Sequence, residues 1–204
     1  SLGACLGSFA NVCIYRLPKN KQIVSGRSFC PKCKKKIKWY DNLPLISFII
    51  LNRKCRNCNK VIPARYFIVE LITGIAFLLI YLNFKNLNTI IFLSILVLIL
   101  IIIFFIDLEN FIIPDTLNFS IMGLALFKNF LPNFNTSLIH EINQSIIGGM
   151  VGYISIWLII YLYKIFKKID GMGLGDAKLM AGIGFLFGWQ SIPFVLFVSS
   201  ILGL

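Results

Sequence analysis

Two carboxylates stand where an apolar chain can least tolerate idle charge. Asp107 closes the apolar run 90–106, and Asp176 ends the stretch Gly171-Met172-Gly173-Leu174-Gly175-Asp176. A charged side chain at hydrocarbon depth costs roughly 2.5–3.5 kcal/mol even on the lenient insertion scale, so acids in such settings usually have a task. Two of them at segment ends fit an acid/base pair. One carboxylate, ionised, draws a proton from water, while the other, protonated, donates to a carbonyl. Like charges about 3 Å apart do not both ionise easily, which splits the apparent pKa values of such a pair. Glycines at 173 and 175 leave room for a substrate backbone beside Asp176 and permit dihedrals closed to other residues.

A second constellation is made of sulfur. Cys30-Pro31-Lys32-Cys33 and Cys55-Arg56-Asn57-Cys58 are two CxxC pairs separated by residues 34–54. Four thiolates at this spacing match a tetrahedral structural zinc site, with Zn–S near 2.3 Å. Arg27 and Lys34 to Lys36 flank the first pair with cations that favour thiolates. A redox dithiol needs only one such pair, and disulfides are disfavoured in a reducing cytoplasm. A small basic loop has too little apolar content for its own core, so the metal would supply its folding energy. Cys5 and Cys13 read as small apolar residues of the first helix.

The elements that must carry these groups are membrane helices. The chain of 204 residues is 58% hydrophobic, beyond the roughly 45–50% of soluble domains, and the excess lies in runs that suit about 30 Å of hydrocarbon. The fold class is all-α: a polytopic transmembrane helix bundle with a small cytoplasmic zinc-ribbon-like insertion. Helices are expected at 2–17, 66–82, 87–106, 114–127, 145–166, 177–189 and from 192 to the end. The sixth is short for a span. Residues 107–113 form an interfacial turn, Pro114 opens the fourth helix, and 128–144 is a polar loop with the only histidine, His140. In domain terms, 1–17 is a first transmembrane helix, 18–65 a basic segment with the two knuckles, and 66–204 the main helical domain. Both ends read as cut.

Charge orients the bundle. Of 20 Lys and Arg, 14 lie between Arg16 and Arg65, against one acid there, Asp41. Between membrane spans this is a loop held inside the cell rather than a nucleic-acid surface, and it would attract anionic membrane lipids. Counting crossings from that loop brings Asp107, Lys164, Lys167, Lys168 and Asp176 to the cytoplasmic face together.

With these features assembled, the chain resembles the type IV prepilin peptidase family (leader peptidase and N-methyltransferase). The resemblance runs through Gly7-Ser8-Phe9-Ala10-Asn11-Val12, Arg16-Leu17-Pro18, the two CxxC pairs and Arg65-Tyr66 through Val69-Glu70-Leu71. It continues with Asp107 through Ile113-Pro114-Asp115 and ends at Gly173-Leu174-Gly175-Asp176-Ala177-Lys178. The resemblance implies an aspartic endopeptidase of the bacterial inner membrane, with Asp107 and Asp176 as its catalytic pair. It implies cleavage of the basic leader from type IV prepilins or pseudopilins. It also implies methylation of the new N-terminus from S-adenosylmethionine.

Asp115 belongs to the first motif but suits a bland role, stabilising the N–H groups that open a helix, so Asp107 is preferred. Glu109 and Asp170 read as solvated interfacial charges. Because the leaders of this family's substrates are themselves basic, direct attraction to the basic segment cannot explain binding. No glycine-rich nucleotide fingerprint is present, and the methyl-donor site is not located. Two other readings compete. A transporter or ion relay would use intramembrane acids at mid-span, and a zinc-dependent adaptor would leave the aspartates unexplained.

Overall fold

Apolar residues continuing over whole turns, without the alternation of strands, dictate helices, and helices are what the computed structural model contains. It describes residues 2–23, 29–30, 32–128, 142–167 and 173–202. Arg27, Pro31, His140, Lys168, Asp170, Gly171 and Met172, named above, lie outside these. The helices are α1 (Leu2–Arg16), α2 (Ile46–Ile50), α3 (Ala64–Asn83), α4 (Leu87–Asn110), α5 (Asp115–Phe127), α6 (Ile142–Lys167), α7 (Leu174–Phe187) and α8 (Ser191–Leu202). Among the described residues the only extended pairing is two isolated antiparallel bridges. Among the described residues three helices are long and apolar enough to cross a membrane: Ala64–Asn83, Leu87–Asn110 and Asn143–Lys167.

Two boundaries differ from expectation. α4 continues through Asn110, so Asp107 lies in its last turn and not in a loop. The first charge marks where the apolar run ends, but nothing in Asp107-Leu108-Glu109-Asn110 stops a helix. α7 begins at Leu174, capped by Gly173, so Asp176 lies within its first turn.

The chain divides into two units, Ser1–Lys85 with Leu93–Glu109, and Asn86–Phe92 with Asn110–Leu204. In the first, α1 packs on α3 through small residues. A methyl group added at Gly3 would lie 2.9 Å from Phe77 Cβ, and one at Gly7 would lie 2.8 Å from Glu70 Cα. The pair lets the two backbones approach closely, as small residues four apart do in membranes. Asn11 fixes the register, its Nδ2 donating to the Tyr66 carbonyl at 3.0 Å. After α1, Arg16 Nη1 donates to the carbonyls of Gln22 and Ile23, at 3.0 and 2.9 Å, and turns the chain into the basic segment.

In the second unit α7 is the centre, packed by α5, α6 and α8. Gly148 and Gly152 of α6 face it at near-minimal separation. A methyl at Gly148 would fall 2.3 Å from the Gly184 carbonyl oxygen, and one at Gly152 would fall 2.6 Å from that of Met180. Lys128 does not belong to a polar loop. Only 2% exposed, it donates to Ser145 Oγ at 3.2 Å and to the Leu186 carbonyl at 3.0 Å, a cation closing the C-terminal end of α7.

These contacts predict opposite outcomes for two glycines. Gly184→Val should destabilise by about 3 kcal/mol or more, because the added side chain meets the Gly148 backbone and only helix separation relieves it. Gly123→Ala has nothing within 4 Å to meet and should stabilise by roughly 0.4–1 kcal/mol. Thermal unfolding in detergent measures both.

Candidate functional site

Asp176 is half-buried in the first turn of α7, its N–H reaching the Gly173 carbonyl at 3.3 Å. The first turn of α7 is held by α5. Asn118, fully buried on α5, donates from Nδ2 to the Gly175 carbonyl at 3.3 Å. A methyl at Gly175 would meet Ile113 Cβ at 3.2 Å, so this glycine permits a close approach. Two residues on, Lys178 pairs with Asp115 Oδ1 at 2.7 Å. Asp115 is the first residue of α5, a position that suits a negative charge. One unit therefore gathers Ile113, Asp115, Asn118, Gly175, Asp176 and Lys178. Sequence reasoning missed Asn118. Its signal was an amide inside an otherwise apolar helix.

Asp107 belongs to the other unit. It is exposed on the last turn of α4. Glu109, two residues on, is ion-paired with Arg65 at the start of α3, so it is not a merely solvated charge. The chain leaves α4 through Phe111, whose φ of 53° is left-handed and whose ring is 87% exposed. A bulky residue in that region is uncommon and strained, and an exposed aromatic at this level suits a membrane–water boundary.

The cysteines form two copies of one knuckle. In each, the residue after the second cysteine is left-handed, Lys34 at φ 57° and Asn59 at φ 52°. In each, its N–H donates to the first cysteine's carbonyl, at 2.8 and 2.9 Å. The flanking bridges Phe29 to Lys36 and Lys54 to Val61 repeat as well. The four sulfurs lie within 4.8 Å of one another, with Cys30 and Cys58 at 3.9 Å. Tetrahedral zinc at 2.3 Å from each sulfur sets them about 3.8 Å apart, so the donor set fits a metal ion. The Lys60 backbone draws the Cys58 thiol down, but desolvation and the neighbouring thiols outweigh it and push the metal-free group up to about 11.

The knuckles are tied to the helices of their unit. Glu70 Oε2 accepts the Leu45 N–H at 2.8 Å, Phe48 stacks on Phe67 with centroids 5.1 Å apart, and Arg56 chelates Asp41 at 2.7–3.1 Å.

Comparison with known proteins covers nearly the whole chain. Residues 1–84 match the model of the bacterial peptidase A24 N-terminal domain, and residues 94–204 match that of the type IV leader peptidase family. Relatives that carry the name prepilin leader peptidase/N-methyltransferase include the following three. The one from Vibrio cholerae is 40% identical, over 97% of this chain and 79% of its own. The one from Klebsiella pneumoniae is 34% identical, over 97% and 87%, and that from Neisseria gonorrhoeae 31%, over 100% and 78%. No solved structure matches.

Proposed function

Because this chain belongs to the type IV leader peptidase family, we propose that it is a membrane aspartic endopeptidase that removes the basic leader of type IV prepilins or pseudopilins and N-methylates the new N-terminus. Asp107 and Asp176 are its catalytic pair. The observation that carries this is the pairing of a match across both family models with an acid in a helix-end turn at each motif. A mid-span ion relay would want its acids in helix centres.

One of the two, ionised, takes the proton from the attacking water, and the other, protonated, donates one to the scissile carbonyl. Collapse of the tetrahedral species returns a proton to the departing amine. Asp115 stays outside this exchange, so Asp115→Asn should lose only an exposed ion pair, worth roughly 0.2–1 kcal/mol, and keep most of its cleavage rate. An inactive Asp115→Asn, with protein correctly inserted, would move the first acid from 107 to 115.

Cys30, Cys33, Cys55 and Cys58 hold zinc as a structural staple, and S-adenosylmethionine supplies the methyl group. The enzyme lies in the bacterial inner membrane with its acids at the cytoplasmic face. The basic segment rests on anionic lipid, and no nucleic acid is involved. The apolar helix of the substrate docks laterally among the spans, its leader still inside. Single cysteines introduced at Asn86 and at Asn135, which lies outside the described residues, should label from the periplasmic side. Labelling from the cytoplasm alone would invert the orientation.

The reaction itself is tested with purified full chain, a prepilin, a chelator of free metal and no S-adenosylmethionine. A product lighter by the leader is expected. A folded protein that cleaves nothing would refute the peptidase reading, and cleavage that required the methyl donor would refute a pair needing only water.

A further inference from the structure

The short helix α2 turns an isoleucine face outward. Ile49 and Ile50 follow Ile46 by three and four positions, which puts all three on one side of a helix. They are 54% (Ile46), 64% (Ile49) and 68% (Ile50) exposed. The opposite side is packed. Ser47 is buried and donates from Oγ to the Tyr40 carbonyl at 3.0 Å, and Phe48 stacks on Phe67 of α3. We propose that α2 is a wedge in the cytoplasmic leaflet, with Ile46, Ile49 and Ile50 among the acyl chains and Arg53 and Lys54 on anionic phospholipid headgroups. The proposal deepens the lipid contact assigned above to the basic segment, and it rests on the membrane orientation given there.

Depth decides between lipid and water. α3 has 20 residues, about 30 Å at 1.5 Å per residue, which matches the hydrocarbon core from one side to the other. Its first turn therefore marks the boundary. The Arg65–Glu109 ion pair lies at that level, and the apolar run 90–106 of α4 ends within a turn of Glu109, so both helices put the boundary there. α2 packs on Phe67, at the inner edge of this turn, and on Glu70, one turn further in. Glu70 Oε2 accepts the Leu45 N–H at 2.8 Å, and Glu70 lies about 9 Å along the axis from the start of α3. Interfacial helices bury their apolar faces to about 5–10 Å. The isoleucines are thus held at acyl-chain depth by their own packing.

The backbone and the charges fit the same picture. The chain enters α2 through Leu45 (φ 61°) and leaves it through Asn52 (φ 46°) and Arg53 (φ 60°), so left-handed residues turn it in and out again within a few positions. That conformation is uncommon for a bulky residue such as leucine, and the bond to Glu70 holds it. Arg53 and Lys54 are exposed immediately after the wedge, and the Arg53 guanidinium lies 5.8 Å from the Phe48 ring. Long cationic side chains at this depth carry their charge outward to the headgroups. The one acid among the 14 cations of this segment, Asp41, is already taken by Arg56. The local charge therefore favours an anionic partner, and it disfavours a substrate with a basic leader.

Photo-crosslinking tests the wedge. Full chain carrying p-benzoylphenylalanine in place of Ile49, Ile50 or Asn57 is reconstituted in vesicles of phosphatidylcholine and phosphatidylglycerol, irradiated, and its adducts identified by mass spectrometry. The first two positions should give acyl-chain adducts, with phosphatidylglycerol enriched at least about twofold over its share of the vesicle. Asn57, exposed in the second knuckle, should give few. Arg53→Gln combined with Lys54→Gln should return the adducts to the vesicle's own ratio without reducing their yield. Ile46 takes the probe should one at 49 or 50 unfold the insertion. Adducts to a second copy, or to added prepilin in place of lipid, would make this face a protein dock and overturn the wedge. Equal yields at Ile49 and Asn57, or no phosphatidylglycerol enrichment in the unaltered chain, would also overturn it. No lipid adduct from a chain that cleaves prepilin in the same vesicles overturns the wedge and leaves the peptidase standing. Adducts from a chain that cleaves nothing support the wedge and fail the peptidase reading instead.

Discussion

Asp107→Asn and Asp176→Asn will each lower leader cleavage by roughly 10²–10⁴-fold, the usual contribution of a positioned acid or base. Both proteins will remain folded and inserted. The substitution preserves size and removes only the capacity to hold or release a proton. Asp107 is exposed, so no buried partner is stranded by the change, and the Asp176 N–H to Gly173 survives in an asparagine. The loss will fall on kcat with KM little changed, because docking is assigned to the substrate's apolar helix. Initial rates on a prepilin, normalised to protein recovered from membranes, measure it. Near-normal cleavage by either variant would remove that residue from the reaction.

Much of this was legible in the residues. The cysteine spacing gave the four-sulfur cluster, and the apolar runs gave the long helices to within a few residues. The errors share one cause: a change of composition marks where a membrane ends, not where a helix does. Thus α4 runs past Asp107 to Asn110, and α7 starts before Gly175 because Gly173 already caps it. Contacts between distant positions were not legible at all. Asn118 reaches Gly175 across 57 positions and Lys128 closes α7 from 58 away, and neither bond leaves a periodic trace. The left-handed Lys34 was hidden for another reason, since lysine is not a residue that advertises that conformation, whereas Asn59 in the equivalent turn is.

The second large effect concerns the metal. Purified protein will contain one zinc per chain, and Cys30→Ser or Cys55→Ser will abolish it. Structural zinc sites contribute about 10–16 kcal/mol of apparent binding energy at neutral pH, far more than this small insertion's own packing supplies. The variants will therefore become protease-sensitive between Leu43 and Lys60 and lose docking at Glu70–Leu45 and Phe48–Phe67. Cleavage will fall less than at the aspartates, because the proposed staple is assigned no part in hydrolysis. The pH dependence has a definite sign. With the metal-free Cys58 thiol at about 11, binding at neutral pH must expel its proton. Affinity, and the stability it confers, will thus rise with pH up to that value and fall on acidification. Elemental analysis and limited proteolysis across pH 6 to 9 are the measurements. Metal near zero, with thiols freely reactive in native protein, would remove the staple.

The central claim is that Asp107 and Asp176 work as one catalytic unit, and a double-substitution cycle on leader cleavage tests it most directly. Groups that act together are grossly non-additive. Asp107→Asn combined with Asp176→Asn should cleave no more slowly than the worse single variant. Losses that multiply would show two independent contributions and contradict a shared site.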